Sequence, residues 1–156
     1  GYVVDRMGAS LREARVNDAL VSAGRSSVRA IGGRDGGWHI ALRSQVRDEV
    51  LGTLRLHDGA LGTSGGGEQF FEVSGRRYGH VLDPRTGWPA TGTRSASVVT
   101  SSAADADALS TAFLVGGVDL ARRYCKTHSG VLAIVTPVEG RPQAFGAYRG
   151  ASLEIT

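Results

Sequence analysis

Apolar side chains recur at helical spacing at the start of the chain. Val4, Met7, Leu11 and Ala14 follow one another at intervals of three or four residues, which places them on one face of an α-helix. We therefore predict an amphipathic helix over residues 1–15.

The pattern then changes to short runs bounded by Gly-rich turns. Such runs, with apolar and polar positions mixed over four to six residues, are typical of β-strands. We predict strands over 19–23, 28–31, 38–42, 51–56, 95–100, 131–136, 143–148 and 152–155. The Gly-rich stretch 62–67 is predicted to be a flexible loop.

A hairpin is predicted in the middle of the chain. The runs 69–73 and 77–82 flank Ser74-Gly75-Arg76, a typical hairpin connection. The segment Asp83-Pro84-Arg85-Thr86-Gly87 follows it and combines a proline with a glycine able to adopt positive φ, which predicts a tight turn. His80 is therefore expected at the end of a strand, beside a sharp corner.

Two helices are predicted after the turn. Ser101 and Ser102 can cap a helix over 104–115, and a second helix covers 118–128 and ends at Gly130. Strands in hairpin order with a few helices predict an α+β fold, mostly antiparallel strands with a few packed helices. The length of 156 residues fits one domain.

Composition and charge exclude several classes of protein. The net charge is +3 with basic residues spread along the chain, so we see no clustered basic face of the kind that binds nucleic acid. No apolar run approaches the roughly 20 residues needed to span a bilayer. The single cysteine, Cys125, excludes an internal disulfide and is expected to be a buried structural thiol.

Asp107, Ser110 and Thr111 are the first candidates for chemistry. Their spacing puts three oxygens on one face of the predicted helix, and oxygen ligands suit a hard cation such as Mg²⁺. Alternatively, the aspartate is simply solvated and the two hydroxyls bond back to the helix backbone. Spacing alone favours this alternative.

His80 is the second candidate. A neutral imidazole can accept a proton from a hydroxyl if its other nitrogen is oriented. Asp83 is close enough in sequence to orient it, or it merely begins the turn. The alternative is that His80 is a hydrogen-bonded residue at a strand end.

Taken in order, several blocks of the chain resemble the FAD:protein FMN transferases of the ApbE family. The resemblance covers residues 1 to about 136. It is carried by Gly1-Tyr2-Val3-Val4-Asp5, Thr63-Ser64-Gly65, Glu68-Gln69-Phe70-Phe71, Tyr78-Gly79-His80-Val81-Leu82-Asp83-Pro84-Arg85-Thr86-Gly87 and Asp107-Ala108-Leu109-Ser110-Thr111-Ala112.

The resemblance implies an activity and a location. Members of this family depend on Mg²⁺, split FAD, release AMP, and attach FMN to a Ser or Thr hydroxyl of a target flavoprotein. They usually work outside the cytoplasm, in the periplasm or on the outer face of the cell membrane. FAD and the target flavoprotein are accordingly the expected partners, and nucleic acid is not.

The resemblance also assigns roles to single residues. It implies that Asp107 and Thr111 bind the metal, with Ser110 at a position that is acidic in some relatives. It implies that His80 is the base that activates the acceptor hydroxyl. The hypothetical FAD contacts are Gly24, Ser64, Gly65, Leu82 and Asp83.

Two departures from the family pattern bear on the activity. Many relatives have Asn-x-Gly-Gly-Asp where this chain has Ser22-Ala23-Gly24-Arg25-Ser26-Ser27, in which Arg25 either contacts a phosphate or points to solvent. Full-length relatives also have a long upstream segment that supplies FAD contacts and a metal ligand. We therefore expect residues 1–156 to be the C-terminal part of a single transferase domain, needing that segment or a partner chain that supplies it. The alternatives are a flavin-binding domain without transferase activity and an FAD pyrophosphatase.

Overall fold

The computed structural model describes residues 1–24, 26–33, 36–43, 50–66 and 70–155, and leaves out the side chains of Arg76 and Arg77. In these residues the chain forms helices and strands in the following order: α1 (Tyr2–Glu13), β1 (Ala19–Ala23), β2 (Ser27–Ile31), β3 (Trp38–Arg43), β4 (Val50–Leu56), β5 (Ala60–Gly65), β6 (Phe70–Val73), β7 (Arg76–Gly79), β8 (Thr93–Thr100), α2 (Ala103–Thr127), β9 (Leu132–Pro137), β10 (Gln143–Gly146) and β11 (Ala151–Ile155).

The strands form three antiparallel sheets. The central sheet has the order β1-β2-β5-β8-β9-β10, a smaller sheet has the order β11-β4-β3, and β6 pairs with β7 as a separate hairpin. This arrangement confirms the predicted α+β class and the mostly antiparallel pairing.

The central sheet is buried on both faces. Successive side chains of a strand point to opposite faces, so its strands contribute to one hydrophobic cluster on each side. One face packs on the smaller sheet, through Ala30, Leu42, Leu54, Leu56, Leu61, Val99, Leu132 and Ile134. The other face packs on α2, through Ala96, Val98, Phe113, Leu114, Ala121, Val131, Ala133 and Val135. The molecule therefore has three layers, with the central sheet in the middle.

Helix α1 lies on the same side of the central sheet as α2. Its buried Val4 packs with Val21, Ala60 and Ala103, which belong to β1, β5 and the start of α2. The predicted amphipathic helix is thus confirmed, and it contacts the segment from which the candidate metal ligands project.

Helix α2 contains both predicted helices. Gly117 interrupts it with φ 70° and ψ −167°, a conformation that is essentially restricted to glycine. The break lies between the predicted spans 104–115 and 118–128, so both helices are confirmed, and they are joined by a kink without a loop. Ser102 is the N-cap, as predicted, and its side chain accepts a hydrogen bond from the Asp105 N–H.

The prediction of a loop over 62–67 is wrong for residues 62–65, and Gly67 lies outside the described residues. Residues 60–65 form strand β5, which pairs with β2 on one side and β8 on the other. A Gly-rich segment forms a central strand here because small residues let α2 approach closely.

The end of the predicted hairpin also differs, since β7 ends at Gly79 and Leu82 makes only an isolated bridge to Pro89. Gln69, the predicted start of the hairpin, lies outside the described residues.

Cys125 is half-buried on α2, where burial raises the pKa of its thiol. A raised pKa keeps the thiol protonated and unreactive, in line with a structural role. Within the described part of the chain, no helix has the length and apolar character needed to cross a membrane.

Candidate functional site

The first turns of α2 carry the candidate metal ligands. The hydroxyls of Ser110 and Thr111 donate to the backbone carbonyl of Asp107, at 2.9 and 3.2 Å. This bonding back to the helix is the alternative that spacing alone favoured. It leaves the oxygen lone pairs of both hydroxyls available to further partners.

Ser64 on β5 joins the two hydroxyls of α2. Its Oγ lies 2.9 Å from Ser110 Oγ and 2.9 Å from Thr111 Oγ1. Ser64 and Gly62 lie on the same face of β5, because side chains alternate along a strand. That face contacts α2. A Cβ on Gly62 would lie 2.4 Å from the carbonyl carbon of Ala106, so only glycine allows the helix this close to the strand.

The candidate ligands differ in their access to solvent. Ser110 is fully buried, whereas the Asp107 side chain is 46% exposed. Asp107 Oδ2 accepts a hydrogen bond from the nitrogen of Gly1 at 3.1 Å. The site thus has an accessible carboxylate at its surface and hydroxyl oxygens beneath it.

This donor set fits a hard cation. Nowhere in the described residues do three or more His, Cys, Asp or Glu side chains come together to form a metal site of their own. One carboxylate with hydroxyl oxygens matches the way Mg²⁺ is commonly held, by one or two carboxylates together with waters and substrate phosphates. The residues present therefore suit Mg²⁺ bound with a phosphate substrate and not a closed all-protein cage.

Asp5 of α1 caps the helix that carries these ligands. It accepts hydrogen bonds from the N–H groups of Ala103 and Ala104, at 2.9 and 3.0 Å, and from the Ser102 hydroxyl at 3.0 Å. Partial burial by itself raises the pKa of Asp5, but these hydrogen bonds and the charge of Arg29 outweigh it and lower the pKa below its ordinary value. No local pattern indicates this contact, because Asp5 lies nearly 100 residues from its partners.

His80 lies at the end of the β6–β7 hairpin, where it is exposed. The residue before it, Gly79, approaches the strand that carries Ser64. A Cβ on Gly79 would lie 3.6 Å from the carbonyl oxygen of Gly66, and Gly66 follows β5 directly. The residue after β5 is therefore close to Gly79, the neighbour of His80, while Ser64 on the same strand bonds the hydroxyls of α2.

Asp83 begins the predicted turn. Its carboxylate accepts hydrogen bonds from the Arg85 backbone and side chain, which lower the pKa of Asp83 to about 2. Its carbonyl accepts from the N–H groups of Thr86 and Gly87, and Gly87 has φ 73°. The tight turn is confirmed, and Arg85 engages the Asp83 carboxylate.

An apolar pocket of about 310 Å³ lies between the hairpin and this turn. It is lined by Phe71, Val73, Tyr78, Leu82, Gly87, Trp88 and Pro89. Phe71 and Tyr78 stack with their ring centroids 5.3 Å apart. Leu82, one of the predicted FAD contacts, therefore faces a pocket adjoining His80.

Gly24 lies in the turn between β1 and β2, with φ 62° and no atom within 4 Å of its Cβ position. Because Ser27 pairs with Gly62, and Thr63 donates to the Ser26 carbonyl, this turn lies at the same end of the central sheet as Ser64 and Gly65. Arg25 lies outside the described residues.

The structure thus brings most of the predicted residues to one end of the molecule. Asp107, Ser110, Thr111 and Ser64 form one bonded group, with Gly65 next to it on the strand. His80, Leu82 and Asp83 lie on the adjoining hairpin and turn. The contacts of Asp5 and Gly1 with α2 were missed, although both residues belong to the opening block of the sequence.

Comparison with known proteins agrees with the family resemblance seen in the sequence. A model of the ApbE family matches residues 1–135. The fold superposes on an ApbE protein from Thermotoga maritima with a TM-score of 0.83 and 34% identity, covering 92% of this chain and 48% of that chain. It superposes on the apo flavinyl transferase ApbE of Pseudomonas stutzeri with a TM-score of 0.72 and 31% identity, covering 94% and 49%.

Curated relatives carry the name FAD:protein FMN transferase. One from Rhodobacter capsulatus is 37% identical over 119 residues, 75% of this chain and 23% of that protein. One from Klebsiella pneumoniae is 33% identical over 122 residues, 76% of this chain and 37% of that protein. The chain spans well under half the length of these curated relatives and about half the length of the solved structures.

Proposed function

This chain belongs to the ApbE family, and on that premise we propose that it contributes the catalytic histidine and metal ligands of an FAD:protein FMN transferase. The reaction moves FMN from FAD to a Ser or Thr hydroxyl of a target flavoprotein and releases AMP. An upstream segment, or a partner chain that supplies it, completes the FAD site.

The observation that carries the proposal is the position of strand β5. Ser64 on this strand bonds the hydroxyls of Ser110 and Thr111, and Gly66 just after it lies against Gly79, next to His80. A base and a cation site near one strand end suit phosphoryl transfer, because its catalysis rests on positioning and on neutralising phosphate charge.

His80 acts on the acceptor hydroxyl. Its imidazole takes the hydroxyl proton while the oxygen forms a bond to the FMN-side phosphorus of FAD. The bond between that phosphorus and the oxygen of the AMP phosphate breaks, and AMP leaves with the bonding electrons. The exposure of His80 supports this role, since a protein substrate must reach it.

Asp107 and Thr111 hold the metal in this proposal, with Ser110 beneath them as the buried partner of Ser64. When bound, Mg²⁺ neutralises charge on the pyrophosphate. The single carboxylate of Asp107 is sufficient because the pyrophosphate itself supplies further anionic ligands.

The FAD contacts proposed for Gly24, Ser64, Gly65, Leu82 and Asp83 extend on both sides of this centre. Gly24 has open space at its Cβ position, Gly65 ends strand β5, and Leu82 borders the aromatic-lined pocket. The location outside the cytoplasm that the resemblance implies is also a proposal here.

The test is AMP release from FAD, with Mg²⁺ or with EDTA, and with or without an acceptor flavoprotein. It would use the chain itself and a version completed upstream with the corresponding half of the Pseudomonas stutzeri relative. We expect the completed version to release AMP only with Mg²⁺, at a rate that rises with acceptor, and to leave FMN covalently bound.

Each other outcome identifies another function. AMP release that ignores the acceptor indicates an FAD pyrophosphatase. FAD binding without any AMP release indicates a flavin-binding domain, for which the altered loop over 22–27 would be the reason.

A further inference from the structure

The opening block, Gly1 to Asp5, contacts the first turn of α2 at several points. Asp5 accepts from the Ser102 hydroxyl and from the N–H groups of Ala103 and Ala104. It lies 97 to 99 residues from these partners along the chain. These contacts cap the start of α2 and also join it to α1.

We propose that this block is a clamp that positions Asp107 for metal binding, with Asp5 as its positioning residue. The inference rests on the proposed function, because it assigns a purpose to the block only if Asp107 is a metal ligand. Asp5 itself is directed at the backbone of α2 and does not touch the metal in this scheme.

Two different residues, Ser102 and Asp5, accept hydrogen bonds from the N–H groups at the start of α2. The first N–H groups of a helix have no partners within it. The Ser102 side chain accepts from the Asp105 N–H, whereas the N–H groups of Ala103 and Ala104 donate to Asp5. Loss of Asp5 would leave two backbone donors of the first turn unpaired, one turn before Asp107.

Arg29 of β2 fixes Asp5 in turn. Its guanidinium lies 3.4 Å from Asp5 Oδ1 and also donates to the Ser101 carbonyl. The side chains of Arg29 and Asp5 are both largely buried in this contact. An arginine of the central sheet therefore positions the Asp5 carboxylate, and that carboxylate caps the start of α2.

Close backbone packing restricts the same turn from two directions. A Cβ on Gly1 would lie 2.3 Å from the Ala103 carbonyl oxygen, and a Cβ on Gly62 would lie 2.6 Å from the Asp107 nitrogen. The first turn of α2 is thus confined at Ala103 by the residue that precedes α1 and at Asp107 by β5. Preorganised ligands bind metal more tightly, because partners that orient a ligand contribute to affinity.

The test measures metal affinity separately from stability. Mn²⁺, a spectroscopic substitute for Mg²⁺, would be titrated into the version completed upstream, in the presence of FAD, and followed by electron paramagnetic resonance. We expect Asp5→Asn to raise the Mn²⁺ dissociation constant about tenfold, the lower end of the range for partners of metal ligands. Saturating Mn²⁺ should restore the wild-type spectrum.

Asp58→Asn is the matched control. Asp58 also accepts from an α1 arginine, Arg12, and from a backbone N–H, that of Gly32. It acts at the other end of α1, away from the first turn of α2. It should lower the melting temperature without changing the Mn²⁺ dissociation constant.

A second variant covers the case in which Asp5→Asn does not fold. Gly1→Ala removes no hydrogen-bonding group but forces a Cβ against the Ala103 carbonyl, and it should raise the dissociation constant in the same direction. An unchanged constant in the folded variants, or an equal increase in Asp58→Asn, overturns the clamp.

Asp107→Ala separates this failure from a failure of the proposed function. If Asp107→Ala weakens Mn²⁺ binding and the clamp variants do not, only the clamp is wrong. If the completed wild-type protein binds no Mn²⁺, or binds it as Asp107→Ala does, the proposed metal site is wrong and the clamp is wrong with it.

Discussion

At the scale of single residues, the roles proposed for His80 and Asp107 differ, and each side chain can be removed separately. His80→Ala should abolish FMN transfer by the completed enzyme while leaving FAD affinity nearly unchanged, because the proposed role of the imidazole is to act on the acceptor hydroxyl. Transfer would be followed by covalent flavin fluorescence on the acceptor, and FAD binding by calorimetry. Equal turnover in the variant would remove His80 as the base.

The ionisation of Asp5 gives a prediction about pH. Its pKa is lower in the folded chain than the ordinary value of 3.8, so the unfolded chain binds more protons in the interval between the two values. The stability that Asp5 contributes is therefore fully present above pH 3.8 and is lost as the pH falls through the folded pKa.

Urea unfolding of the wild-type chain and of Asp5→Asn at pH 6 and pH 3 checks this. The variant should lose less stability than the wild type between the two pH values, because its amide does not titrate. The same loss in both proteins would show that Asp5 is not coupled to folding in this way.

At the scale of elements, the contact between β5 and α2 depends on one missing side chain. Gly62→Ala places a Cβ 2.4 Å from the Ala106 carbonyl carbon, so the helix or the strand must move. Overpacking of this kind typically costs about 1–3 kcal/mol of unfolding free energy. The displacement should also weaken metal binding, since Ser64 and Asp107 flank the contact.

Gly66→Ala is the control for this prediction. Gly66 follows the same strand but has open space at its Cβ position and no positive φ. Its replacement should change the unfolding free energy by no more than about 0.5 kcal/mol. Denaturant unfolding of both variants would test the pair, and similar losses would contradict the close approach of β5 and α2.

At the scale of the whole molecule, the smaller sheet supports the central sheet from the side opposite the candidate site. Leu54 of β4 is fully buried between the two sheets. Leu54→Ala should lower the unfolding free energy by about 2–5 kcal/mol. Leu20→Ala is the matched control, because Leu20 on β1 is 40% exposed.

A measurement of metal affinity shows whether the packing of the smaller sheet affects the candidate metal site. If the layers act independently at the site, folded Leu54→Ala should bind Mn²⁺ as the wild type does, because α2, α1 and β5 meet on the other face of the central sheet. Thermal unfolding and Mn²⁺ titration of the same sample would show both effects. A loss of affinity equal to that of Asp5→Asn would mean that the site depends on general stability.

Much of this architecture follows from local sequence. The helical spacing of Val4 and Leu11, the serines before α2, and the proline and glycine of the 83–87 turn act over a few residues. Local patterns of this kind determine where a chain turns, caps or buries one face. The same sequence also carries the blocks that resemble the ApbE family, and with them the candidate residues.

The tertiary structure alone decided what the glycines and Asp5 do. A run rich in glycine locally predicts a flexible turn, but residues 62–65 belong to strand β5, and Gly62 lets α2 approach that strand closely. Asp5 has no local signal either, since its partners at Ala103 and Ala104 lie nearly 100 residues away. Contacts between distant segments depend on how elements pack, and no spacing within one segment encodes them.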